Sequence, residues 1–161
     1  EDRGPIFYSQ ERIGKNNKVF KVVKFRTMII DAEKITGAVW STKNDPRITK
    51  IGHLLRRTAI DEIPQLINIF KGEMSFVGPR AERPELHKKF MKEIPDFGKR
   101  IEVIPGLAGL AQINGSYDLD PRDKLKYDLD YIKNMNLFFD IKIIIKSVFN
   151  SLLAKWDQPE N

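Results

Sequence analysis

Two adjacent carboxylates, Asp61-Glu62, follow an arginine pair, Arg56-Arg57, and precede a turn, Gly78-Pro79-Arg80. They open a segment in which Ile63, Leu66, Ile67 and Phe70 recur at one-face helical spacing. Pro64 has no N–H to donate and sits comfortably only in a first helical turn, which places Asp61 near the N-cap; Gly72 is the expected stop. A helix N-terminus carries partial positive charge and unpaired N–H groups, which keep a carboxylate ionised and also attract phosphate. Guanidinium forks match phosphate oxygens bidentately. A carboxylate nucleophile, a second carboxylate for metal or proton, and arginines for the anion together suit phosphoryl transfer. The same residues also suit a simpler role, because Asp-Glu is ordinary helix capping and neighbouring arginines are ordinary charge balance. Spacing alone leaves both readings open.

The elements that must position these residues read as a mixed set. Residues 6–13 and 18–28 have strand character around the turn residues Lys15-Asn16-Asn17. Alternation in the second strand puts Phe20, Val22, Lys24, Arg26 and Met28 on one face, a pattern that by itself reads as a solvated sheet face. Asp31 to Lys34 suggests a short helix closed by Gly37, and Asn44-Asp45-Pro46 a turn. Ile48, Ile51, Leu54 and Leu55 make a short amphipathic helix that ends on Arg56 and Arg57. Met74–Val77 reads as a short strand. Pro84 starts a helix with Leu86, Phe90, Met91 and Ile94 on one face, and Asp120-Pro121 starts another carrying Leu125, Leu129 and Ile132. The glycine-rich stretch Pro105–Ser116 reads as a buried turn and strand whose glycines would let backbone approach a ligand. Leu137–Ala154 has a wide apolar face with Lys142 and Lys146 beside it. That pattern fits a core-packing helix, and it also describes a helix lying at a membrane surface, with Trp156 as an anchor.

At 161 residues, with 41% hydrophobic and 31% charged residues, the chain fits one globular domain spanning 1–161. Its fold class is α+β: a small β-hairpin or sheet, several short helices and an amphipathic C-terminal helix. The net charge of +6 calls for an anionic partner, which phosphorylated substrates, anionic lipid headgroups and nucleic acid satisfy equally. With no cysteine, disulfides, thiolate metal sites and cysteine nucleophiles are excluded. His53 and His87 are isolated and read as structural; P-loop and GxGxxG patterns are absent. No apolar run reaches the length of a membrane-spanning helix, and no signal-peptide pattern is present.

The run "LRRTAIDEIPQLINIFKGEMSFVGPRAERPEL" (54–86) resembles the bacterial sugar transferase family, the monotopic phosphoglycosyl transferases that start glycan assembly on undecaprenyl phosphate. Three further blocks match in family order: "GPIFYSQERIGKNNKVFKVVKFRTM" (4–28), "PGLAGLAQING" (105–115) and "KLKYDLDYIKNMNLFFDIKIIIKSV" (124–148). The resemblance implies transfer of a sugar 1-phosphate from a UDP-sugar to undecaprenyl phosphate, with release of UMP. Asp61 is then the nucleophile, forming an aspartyl phosphosugar, and Glu62 its partner. Mg²⁺ is implied as cofactor, held by Asp61 or Glu62 together with diphosphate oxygens. Lys24, Arg26, Arg57, Arg80 and Gln112 are implied as substrate contacts; Arg57 is preferred over Arg56 because it adjoins Thr58 as the family's arginine does.

A membrane surface is an implied partner, nucleic acid is not expected, and a second copy of the chain is an allowed one. The family carries a hydrophobic helix before the block that opens here at Gly4, and the chain starts at Glu1 rather than Met. The expectation is therefore a catalytic domain without its anchor, soluble by itself, from an enzyme of the cytoplasmic face of the bacterial inner membrane. The contrasting expectation is a non-catalytic basic domain that binds anionic lipid or nucleic acid.

Overall fold

The computed structural model describes residues 3–32, 34, 45–115 and 119–156. The expected helix from Asp31 to Gly37 and the turn at Asn44 lie wholly or partly outside them.

The first element is a hairpin of β1 (Phe7–Ile13) and β2 (Val19–Phe25), antiparallel with Ile13 opposite Val19 and Phe7 opposite Phe25. Its turn is the Asn-rich one expected: Asn16 and Asn17 take φ of 54° and 62°, a region that asparagine tolerates better than most residues. Phe20 and Val22 point inward and pack on Met74 and Ala81. The same inward face of β2 lies against the segment that carries Asp61 and Glu62. The alternation that buries Phe20 and Val22 therefore turns Lys24 toward the dyad.

Helix α1 (Lys50–Arg57) starts on Thr49, whose hydroxyl accepts from the Gly52 N–H at 2.9 Å. It ends where Ala59 adopts a left-handed φ of 55° and redirects the chain into the 3-10 turn Ile60–Gln65. Asp61 is thus in a 3-10 turn and caps no helix, unlike the N-cap position expected. The α-helical part, α2 (Leu66–Phe70), follows, and Gly72 ends it at φ 72° as expected.

Strand β3 (Ser75–Val77) pairs in parallel with β4 (Gly106–Ala108). A Cβ at Gly106 would fall 2.0 Å from the Gly78 nitrogen, so this glycine serves a backbone-to-backbone approach inside the fold, where the sequence suggested approach to a ligand. Helix α3 (Pro84–Glu93), the 3-10 turn Phe97–Glu102 and α5 (Pro121–Asn134) share a cluster of Phe90, Ile94, Phe97 and Leu125. A second cluster joins β3, β4, α4 (Leu110–Asn114), α5 and α6 (Leu137–Leu152) around Val77, Ala108, Leu110, Ile113, Tyr131 and Ile143. The fold is α+β, as expected.

Three apolar stripes are largely exposed, which for the last helix departs from the core-packing reading and leaves the surface-lying one. Ile51 and Leu54 of α1, and Ile63, Ile67 and Phe70 of the dyad segment, are exposed, Phe70 at 89%. In α6 only Ile143 is fully buried, while Leu137, Phe138, Ile141, Ile145, Val148, Phe149 and Leu152 face outward. Trp156 is half-buried against the α6 cluster and donates from Nε1 to Ser151 Oγ at 2.7 Å.

Candidate active site

Asp61 and Glu62 are neighbours in a tight turn with opposite surroundings. Both oxygens of Glu62 are taken by cations: Arg80 Nη2 and Lys24 Nζ each lie 2.5 Å from Oε1, and Arg80 Nη1 donates to Oε2 at 3.1 Å. Burial alone would raise the Glu62 pKa, but Arg80 and Lys24 outweigh it and hold this carboxyl well below its ordinary range. Asp61 is only 8% exposed, and its carboxylate accepts no hydrogen bond from a described residue. Burial therefore dominates there and pushes its pKa up to about 6, assisted by the Glu62 charge and opposed by Lys24, Arg80 and Arg56. One carboxylate is locked in an ion-pair fork; the other is desolvated and weakly held.

The structure brings together Asp61, Glu62, Lys24 and Arg80 from three places in the chain. The remaining expected contacts sit apart from that cluster. Arg26, just past the end of β2, donates to the carbonyls of Pro5 at 2.6 Å and Met28 at 3.1 Å. Arg57 is exposed at the end of α1 and makes no side-chain hydrogen bond or ion pair with a described residue; Arg56 is the member of that pair whose charge acts on Asp61. Gln112 lies in α4 with Oε1 buried and without a hydrogen-bond partner among the described residues, and it does not bond to the dyad.

Several residues of the site lay outside the sequence reading. A small cleft beside the dyad is lined by Arg12, Lys24, Gln65 and Arg80, with Val22 and Met74 beneath. Gln65 is 3% exposed, and its buried Nε2 has no hydrogen-bond partner among the described residues. Asn68, 1% exposed, acts as a bracket between α2 and the hairpin: Oδ1 accepts from Val23 N at 3.2 Å and Nδ2 donates to Lys21 O at 2.8 Å. A polar residue inside the apolar run Leu66–Phe70 was the available signal for it. Arg100 and Asp128 form a buried pair, Nε to Oδ2 at 2.6 Å, which no spacing in the sequence announces. His87 is buried against Phe97, and burial lowers its pKa, which keeps it neutral and structural as expected.

No third His, Cys, Asp or Glu joins the dyad among the described residues, so a protein-only metal cage is absent there. Magnesium does not need one, since it is commonly held by one or two carboxylates plus substrate phosphates. The open Asp61 carboxylate beside the Glu62 edge fits an ion held in that way.

Residues 1–154 match the family described as bacterial sugar transferase, and the chain belongs to that family. It is 39% identical over 151 residues to the UDP-N-acetylgalactosamine-undecaprenyl-phosphate N-acetylgalactosaminephosphotransferase of Aeromonas hydrophila, covering 92% of this chain and 36% of that one. Against the UDP-glucose:undecaprenyl-phosphate glucose-1-phosphate transferase of Escherichia coli (strain K12), identity is 40% over 158 residues, 94% of this chain and 34% of the relative. The exopolysaccharide production protein PSS of Rhizobium leguminosarum bv. phaseoli is 40% identical over 157 residues, 92% of this chain and 78% of the relative. The chain thus spans about a third of the length of the first two relatives. Among the described residues, no helix is long and apolar enough to cross a membrane.

Proposed function

We propose that this chain transfers a sugar 1-phosphate from a UDP-sugar to undecaprenyl phosphate and releases UMP, in two displacements at one phosphorus. A carboxylate oxygen of Asp61 attacks the phosphorus that bears the sugar, and the bond from that phosphorus to the bridging oxygen of UMP breaks. An oxygen of undecaprenyl phosphate then attacks the same phosphorus, and the Asp61 carboxylate leaves. The observation that carries this reading is the contrast within the dyad: Glu62 is fully engaged by Arg80 and Lys24, while the buried Asp61 carboxylate accepts no hydrogen bond from a described residue. A carboxylate stripped of water and of hydrogen bonds is a better nucleophile than one in solution. At neutral pH, above its pKa of about 6, it is predominantly ionised.

Lys24 and Arg80 would contact the diphosphate, and their ion pairs with Glu62 hold their charges in place before substrate arrives. Of the dyad, Asp61 would hold magnesium together with the diphosphate oxygens, since both Glu62 oxygens are engaged by Arg80 and Lys24; when bound, the ion offsets the negative charge gathered on the phosphates. The exposed apolar side of α6 would meet the membrane surface where the polyprenyl acceptor resides. The named relatives act on different sugars, so the donor is best identified by a panel. Mixing the protein with Mg²⁺, undecaprenyl phosphate and each of several UDP-sugars should release UMP with a preferred donor, and only when the lipid is present for turnover. Salt-dependent lipid binding with no UMP from any donor would instead indicate a non-catalytic basic domain.

A further inference from the structure

The loop that delivers Arg80 to Glu62 is held by its backbone. Four successive carbonyls each accept a hydrogen bond from elsewhere in the fold: Pro79 from Gly106 N at 3.0 Å, Arg80 from Arg100 Nη2 at 3.0 Å, Ala81 from Arg12 Nη1 at 3.0 Å, and Glu82 from Ile13 N at 2.9 Å. Two of these donors are backbone groups that any residue supplies. The other two are guanidinium side chains, and both are expensive to place there. Arg100 is 6% exposed, with Nε on Asp128, itself 1% exposed, and its carbon over the Phe97 ring at 4.8 Å. Arg12 is held at a lowered pKa of about 10, because it is buried and faces Arg80. A small cleft beside this loop is lined by Pro79, Arg80, Glu82 and Arg100.

We propose that Arg100 and Arg12 are positioning residues that clamp the Arg80 and Ala81 carbonyls and thereby aim the Arg80 guanidinium at Glu62 and the substrate phosphates. The assignment of the phosphates rests on the function proposed above; the clamp itself does not. Asp128 orients Arg100 within it. A lysine at either position keeps the positive charge but has one nitrogen where arginine has a fork. At position 100 it cannot bond Asp128 and the Arg80 carbonyl along the two directions used here.

R100K separates the clamp from a merely structural role. Turnover should fall about tenfold to a hundredfold while the KM for the donor changes little, as expected when a distant change misplaces a catalytic group. In an R80A background, R100K should add less than about twofold, since the residue it acts through is gone. Full multiplication of the two losses would overturn the proposal, as would unchanged turnover in R100K. R12K should behave alike, so the idea can be tested even where one variant folds poorly. A second readout needs no turnover: the Arg80 Nε–H resonance, assigned with R80K, should shift or broaden in R100K while the Asn68 side-chain amide stays in place. An undisturbed Arg80 signal would sink the clamp. If wild type turns over no UDP-sugar but R100K still shifts the Arg80 signal, only the catalytic reading is removed.

Discussion

In the dyad cleft, charged groups lie inside the fold; along α6, apolar groups lie outside it. Glu62, Lys24 and Arg80 satisfy one another at short range, yet Asp61 beside them is left desolvated with nothing bonded to its carboxylate among the described residues. On α6, Ile143 is fully buried, Phe139 and Ile144 pack beside it on the core, and a row of large side chains from Leu137 to Leu152 is left wet. Both arrangements run against what isolated folding would favour, since buried charge and exposed apolar surface each weaken a fold in water. The two regions differ in what would relieve them. The cleft is improved by a phosphorylated ligand and a cation, the helix by an apolar surface. Changing each region in turn shows whether that difference is real.

The largest expected effect is on chemistry. Asp61→Asn keeps the shape of the side chain but removes the nucleophile, and UMP release should drop on the order of 10³-fold or more. Activity within a few-fold of wild type would mean that Asp61 does not attack the phosphorus. Arg80→Ala comes next, with a loss of about 10²- to 10³-fold, the range typical of a lost charge-stabilising donor. Arg80→Lys should recover only part of it, because the fork on Glu62 needs two nitrogens. Equal rates for arginine, lysine and alanine would make Arg80 a bystander to the cleft.

A third change reads the strain in the cleft without any substrate. Asp61 titrates at about 6 in the folded chain against 3.8 for an unperturbed carboxyl. The folded state therefore favours the protonated form, and wild-type stability is penalised as pH rises through this interval, fully so above about 6. The asparagine that replaces it in Asp61→Asn cannot ionise and escapes the penalty. In chelator, Asp61→Asn should be more stable than wild type at pH 8, by up to about 3 kcal/mol for a shift of roughly two units, and should melt higher. The advantage should vanish below about pH 4, where Asp61 is neutral in both states. Glu62 has a depressed pKa and loses stabilisation on acidification in both proteins; because its charge is coupled to that of Asp61, the comparison is read where Glu62 stays ionised. Equal melting at all pH values would show that Asp61 is not strained.

Sequence reasoning reached the hairpin, the short helices and the dyad because each depends on local signals: alternation at Phe20 and Val22, a proline at position 84, a glycine stop at position 72. Alternation put Lys24 on the face of Val22 but read that face as solvated, whereas the structure turns it inward and pairs Lys24 with Glu62. Sequence reasoning could not see the partners of Arg12 and Arg100. These are set by contacts 69 and 20 residues away in the chain, and no periodicity encodes them. The 3-10 geometry at Asp61 was hidden for another reason. Ala59 takes a left-handed conformation for which alanine gives no warning, so the helix begins later than the proline suggests. Apolar periodicity was read correctly on α6, but periodicity reports a face and says nothing of what covers it.

The smallest effect is the one that tests that uncovered face. Ile141 and Ile145 are 44% and 64% exposed, so replacing both with serine removes little buried contact. The change in stability should stay within about 1 kcal/mol, as for most surface substitutions. Ile143 supplies the contrast from the same helix: it is fully buried, and Ile143→Ser should cost several kcal/mol, about 2–5 for a deep cavity before the added hydroxyl. If α6 lies on a membrane, the protein should sediment with anionic liposomes, helped by Lys142 and Lys155 at about 1 kcal/mol each near a charged surface. The double serine variant should then lose about thirtyfold in liposome affinity, because each isoleucine half-immersed in lipid contributes on the order of 1 kcal/mol. A melting temperature that holds while liposome binding falls would show that the exposed face is used outside the fold. Liposome binding that is absent in wild type, or unaffected by the two serines, would mean that α6 meets no membrane, and acceptor access would have to be sought on another surface.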